Sequence, residues 1–131
     1  MADRNDVRRI CLSLPDTGEA DDRFAFYVTN RGRRKEIAWI WLERTHPKQP
    51  RVPNPQVIAI RVEGEEDRQA LIAADPGKFF TEPHYNRFPA VLVRLPRIDR
   101  VELEELLIDA WRIQASRSQV KAYDGAGRPS V

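Results

Sequence analysis

The 131-residue chain holds one cysteine, two histidines and, beyond Met1, no methionine. Each scarcity excludes something. A lone Cys11 cannot build a disulfide framework or a cysteine-based zinc site. His46 and His84 lie far apart, and no HxxxH, HxE or CxxC spacing exists, so no metal or cofactor is expected. No apolar run approaches the ~20 residues of a membrane span. The opening MADRNDVRRI lacks the apolar core of a secretory signal, which makes the cytoplasm the expected compartment. Phosphate-cradling glycine loops and nucleophile elbows are also missing, as is any cysteine–histidine pair fit for nucleophilic catalysis. No catalytic residue is assigned, and a non-enzyme is the favoured expectation.

What is present describes one soluble domain. Hydrophobic residues make up 41% and charged residues 32%, a balance that supports a core rather than disorder. Net charge is only +2, yet between Arg23 and Arg51 eight bases face two acids, Glu36 and Glu43. Such a local excess attracts anionic polymers even when the whole molecule is nearly neutral.

Hydrophobic periodicity orders the chain as α-β-β-β-α-β-α. Asp3 and Asp6 suit a cap for a helix from Arg4 to about Leu14, with Val7, Ile10, Cys11 and Leu14 on its inward stripe. In that stripe Cys11 reads as a buried structural thiol. Phe24 to Thr29 alternate as a strand, and Asn30-Arg31-Gly32 supply a tight turn. Lys35–Glu43 then places Ile37, Trp39 and Trp41 on one face and Ala38, Ile40 and Leu42 on the other. Four prolines mark 45–55 as an exposed loop, followed by a strand from Gln56 to Val62. Glu63, Glu65, Glu66 and Asp67 offset the dipole of a short helix ending near Asp75. Ala90–Leu95 reads as a buried strand. Asp99 and Glu102 open a closing helix, with Leu103, Leu106, Leu107, Ala110, Trp111 and Gln114 along one face. Residues 1–116 read as the domain and 117–131 as a frayed polar tail. The expected class is α+β, a mostly antiparallel sheet with helices on one face.

The most distinctive stretch is DPGKFFTEPHYNRFPAVLVRL, residues 75–95, followed by IDRVELEELLIDAWRIQA. Its motif order and spacing resemble the MmcQ/YjbR family, whose members read roughly FFTxPHxxxxPAVLVRL before a closing helix. The resemblance runs from about Arg4 to Ala115. It implies a frataxin-like fold, sometimes described as a double-wing DNA-binding architecture. The acidic ridge that iron donation requires does not carry over, because Arg4, Arg8 and Arg9 interrupt the first helix.

Two groups of residues are candidates for function. Arg31, Arg33, Arg34 and Lys35 surround a turn and, with Lys48 and Arg51 from the proline-rich loop, suit weak, sequence-independent contact with DNA phosphates. The alternative is a protein-interaction or small-ligand module with a pocket near residues 79–89, where His84, Tyr85, Asn86 and Arg87 cluster. A histidine there can bind an anion or simply tie down its loop.

Overall fold

The structure, a computed structural model, describes residues 1–43, 48–85 and 88–125, with His84 described by its backbone alone. Six strands form one antiparallel sheet in the order β1-β2-β3-β4-β6-β5. In chain order the elements are α1 (Arg4–Ser13), β1 (Thr17–Glu19), β2 (Ala25–Asn30), β3 (Arg33–Glu43), β4 (Val52–Arg61), α2 (Glu65–Ala74), β5 (Phe79–Phe80), β6 (Ala90–Arg94), α3 (Arg100–Gln114) and α4 (Arg117–Gly125). Single 3-10 turns at Pro83–Tyr85 and Leu95–Arg97 flank β6. The α+β expectation holds.

Local chemistry sets the helix starts. Asp3 and Asp6 cap α1 reciprocally, each carboxylate accepting the other's backbone N–H at 3.0 Å. Asp99 accepts the Glu102 amide at 2.8 Å to open α3. Burial of Val7, Ile10 and Cys11 turns α1 inward, while Leu103, Leu107, Ala110 and Trp111 do the same for α3. Both helices cover one sheet face, joining Phe26, Val28, Ile58, Ile60, Val91 and Val93 in the main core. The Trp111 indole N–H donates to the Pro15 carbonyl at 2.9 Å, so the closing helix also holds the turn after α1. Burial pushes the Cys11 thiol far above its ordinary range, which keeps it protonated and structural.

The expected order α-β-β-β-α-β-α lacks the two short edge strands β1 and β5, which pair with β2 and β6. Three further sequence expectations need correction. Ile37 does not share a face with Trp39 and Trp41. Phe26 pairs with Ala38 and Tyr27 with Glu36, so Ile37 is the extra residue of a β-bulge. A bulge reverses the side-chain alternation beyond it. Ile37 therefore enters the helix-side core with Ala38, and Trp39 and Trp41 pass to the opposite face.

Residues 52–55 are strand rather than loop. Pro53 pairs with Leu42, although the register jumps before Ile58 meets Ile40. Prolines are tolerated in such irregular stretches because no regular ladder donor is lost.

The third correction concerns 117–125, a helix rather than a frayed tail. Ser116 and Gln119 form a capping box, with Ser116 Oγ accepting the Gln119 amide at 3.1 Å and Gln119 Oε1 accepting the Ser116 amide at 2.8 Å. Val120 and Tyr123 pack against the core. Among the described residues, no helix is long and apolar enough to cross a membrane.

Candidate functional site

The hairpin of β2 and β3 turns on two residues, Arg31 at φ 53° and Gly32 at φ 81°. Positive φ at both central positions is the type I′ requirement, and it matches the right-handed twist of the strands. Glycine meets it freely, but Arg31 is strained there, while Asn30 lies in β2 rather than at the tip.

Arg31, Arg33, Arg34 and Lys35 are all exposed. Cross-strand pairing divides them. Arg33 opposes Asn30 and Lys35 opposes Val28, on the helix side, whereas Arg34 opposes Thr29 on the other side. Arg34 lies over the Tyr27 ring, 4.5 Å from its centroid. That ring in turn covers Gly18, where a Cβ would stand 2.8 Å from Tyr27 Cζ. The hairpin thus carries cations at its tip and on both faces.

Its base is braced. The Asn30 side chain donates to the Gln114 carbonyl at 3.0 Å, and Gln114 Nε2 donates to the Glu36 carbonyl at 2.9 Å. Gln119 Nε2 reaches the Thr29 carbonyl at 2.7 Å and Asp16 at 2.9 Å. Sequence reading missed Gln119. Its signal was the S-x-x-Q of Ser116 to Gln119.

Lys48 and Arg51 do not join this patch. Arg51 Nη1 donates to the Leu42 carbonyl at 2.9 Å and to Glu82 at 3.0 Å. Leu42 lies eight residues beyond Arg34 on β3, roughly 25 Å along an extended strand. Lys48 is exposed in the same distant β3–β4 connection.

Arg51 instead borders a second feature. On the sheet face away from the helices, Trp39, Trp41, Tyr85 and Phe80 gather over Ala59, Ala90 and Leu92. A hollow of 230 Å³ opens there, lined by Trp39, Trp41, Leu42, Arg51 and Tyr85 among others. Trp39 Nε1 donates to the Tyr85 hydroxyl at 3.3 Å, and burial raises the Tyr85 phenol above its ordinary value. Phe88 meets Trp39 edge to face at 5.5 Å, and Phe80 meets Trp41 likewise at 5.4 Å.

Buried Arg68 holds this connection in place. Its Nη1 donates to the carbonyls of Tyr85 at 2.5 Å, Phe88 at 2.9 Å and Ala90 at 3.4 Å, and its Nη2 pairs with Glu65. Nothing in the periodicity of α2 marks Arg68 as buried, so sequence reading missed it. Of the loop candidates, Tyr85 is buried beside the hollow. Asn86, Arg87 and the side chain of His84 lie outside the described residues, as does His46. No group of three or more metal-ligating side chains occurs among the described residues.

Fold and surface together define a small α+β domain with a braced basic hairpin at one end of its longest hairpin strand and an aromatic hollow towards the other. Uncharacterised proteins of Mycobacterium tuberculosis (Rv2570) and Mycobacterium bovis (Mb2600) are each 39% identical to it over 132 aligned positions, covering 94% of this chain and 96% of theirs. The chain belongs to the family these mycobacterial proteins represent. No family model matches it. Its fold is also that of the Deinococcus radiodurans protein DR2400, described as a DUF419 domain, with a TM-score of 0.67 at 21% identity over 98% of this chain and 91% of that one.

Proposed function

We propose that this is a non-enzymatic cytoplasmic binding protein of MmcQ/YjbR type, whose β2–β3 hairpin contacts the phosphate backbone of DNA weakly and without sequence preference. The clustering of four exposed cations around one turn carries the reading. Several cations elsewhere are held by carboxylates, Arg8 by Glu19, Arg23 by Glu36, Arg51 by Glu82, Arg68 by Glu65, Lys78 by Glu102 and Arg112 by Asp124. Among the described residues, Arg31, Arg33, Arg34 and Lys35 enter no ion pair. A hairpin with cations on both faces can meet phosphates on both sides of a groove, and guanidinium forks donate two parallel hydrogen bonds to each. Contacts from the hairpin's guanidinium groups to phosphate oxygens read backbone rather than sequence.

With Lys48 and Arg51 too distant to share the contact, three or four phosphates are within reach. Counterion release then sets a slope of log K against log[salt] of about −3 on duplex DNA. Arg33→Ala with Arg34→Ala is expected to weaken binding equally on unrelated duplexes and to flatten the slope by about two units. Titration of labelled duplexes at several salt concentrations tests this. Absence of binding at low salt, or an unchanged slope in the double variant, overturns it.

The hollow supports a second reading. Two indoles and a phenol around 230 Å³ suit a flat, neutral aromatic molecule of one or two rings, with the Arg51–Glu82 pair at its edge. Its test is quenching of indole fluorescence by small aromatic compounds, reduced on Trp39→Leu.

A further inference from the structure

Two shallow grooves follow the outward side of α3. The first lies between α2 and α3, with Leu71, Leu106 and Ile113 in its floor and a volume of 660 Å³. Glu63, Asp67 and Asp109 edge it, together with Arg61. The second lies between the end of α3 and α4, with Ala115 and Val120 in its floor, Arg117 and Lys121 at its edge, and a volume of 750 Å³. Arg112 lines both. It is held by Asp124 through two bonds of 2.7 and 3.0 Å, so that pair is neutral.

Asp109 adds a longer-range attraction to Arg112, and the remaining charges stand outside that pair. Among the described residues, none of Glu63, Asp67, Asp109, Arg61, Arg117 and Lys121 enters an ion pair. Three carboxylates against Arg61 leave the first groove with two excess negative charges. Arg117 and Lys121 provide the second with two positive ones. The floors are partly exposed leucine, isoleucine and valine on helices that pack against the core with their other sides.

We infer that this face is the interface of a homodimer, in which the acidic α2–α3 groove of one copy meets the basic α3–α4 groove of the other. A surface with adjoining halves of equal and opposite charge is its own complement under a two-fold rotation, and a two-fold interface uses the same patch twice. Each excess charge then finds a partner across the interface. This inference does not rest on the nucleic-acid reading. The grooves exclude the hairpin tip, and Arg33→Ala with Arg34→Ala leaves the dimer intact.

Light scattering or sedimentation equilibrium on the full chain tests it, with circular dichroism as the check on folding. The wild type is expected at low salt with twice the 15.2 kDa mass of the chain, and rising salt shifts it to monomer. Arg117→Glu with Lys121→Glu makes both halves acidic, and Asp67→Lys with Asp109→Lys makes both basic. Each pair of substitutions is expected to weaken self-association roughly tenfold or more. An equimolar mixture of the two variants restores a dimer, because every acidic half again meets a basic one. The inference is overturned by a wild type that stays monomeric at all soluble concentrations. Variants that dimerise like wild type, or a mixture of folded variants that stays monomeric, overturn it equally. Should the variants fail to fold, the wild type decides alone: a dimer insensitive to salt sinks the charge-complementary interface.

Discussion

At the scale of single residues, the core is decided by a few large side chains and by polar atoms that reach backbone carbonyls. Trp111 is fully buried, contacts Tyr123 and donates to Pro15, so it joins α3, α4 and the turn after α1. Trp111→Ala is expected to cost about 3–5 kcal/mol, the range for a large aromatic whose cavity cannot collapse. Chemical denaturation measures it, and a loss under about 1 kcal/mol would mean the helix does not pack this way. Trp111 was legible in advance because its position in the apolar stripe of α3 is periodic. Arg68 was not, since a charged residue in an amphipathic helix reads as solvated until three carbonyls of the 85–90 segment converge on it.

At the scale of elements, the hairpin stands out because its backbone chemistry and its charge disagree. A type I′ turn favours Asn-Gly, and this one carries Arg-Gly. Holding an arginine at φ 53° costs stability that an asparagine would not. Arg31→Asn is therefore expected to stabilise the fold by about 1 kcal/mol. It should also weaken duplex binding and reduce the salt slope by roughly one unit, because one phosphate contact is lost. Paired unfolding and salt titrations separate the two effects. A variant that gains stability and binds as before would show that the tip is not in contact. The bulge at Ile37 shows how far one residue propagates. It sends Trp39 and Trp41 to the open face, where they line the hollow instead of filling the helix-side core.

At the scale of the whole molecule, ion pairs bind α1 to its surroundings and set the response to acid. Asp6 is pushed up by its burial, but the Asp3 amide, Arg9 and Arg100 outweigh this and hold its carboxyl below the ordinary 3.8. The bidentate Arg8 guanidinium holds Glu19 below 4.5, tying α1 to β1. A carboxylate lowered in the folded state contributes stability above its unfolded value, and loses it as pH falls through the folded one. The melting temperature is therefore expected to fall progressively below about pH 4.5. Asp6→Asn with Glu19→Gln lowers it at neutral pH and makes the acid limb shallower, as calorimetry across pH 2–7 would show. An acid limb equally steep in the double variant would place the linkage elsewhere.

Local patterning was enough to read the α+β class, the capped ends of α1 and α3, the inward stripes of both helices, the buried β6 and the cationic turn. These depend on contacts within a few residues or on periodicity along one element, and such information is written locally. Strand pairing settles which face each tryptophan of β3 occupies, because the alternation breaks where β2 and β3 pair. The tertiary structure also decided that Lys48 and Arg51 stand a strand's length from the hairpin tip. A charge count along the chain cannot see that, since β3 separates residues the sequence places close together. The α4 helix belongs to the same group. Its capping box is local, but nine residues form a marginal helix alone, and Val120, Tyr123 and Gln119 are held by a core and a hairpin that lie distant in sequence.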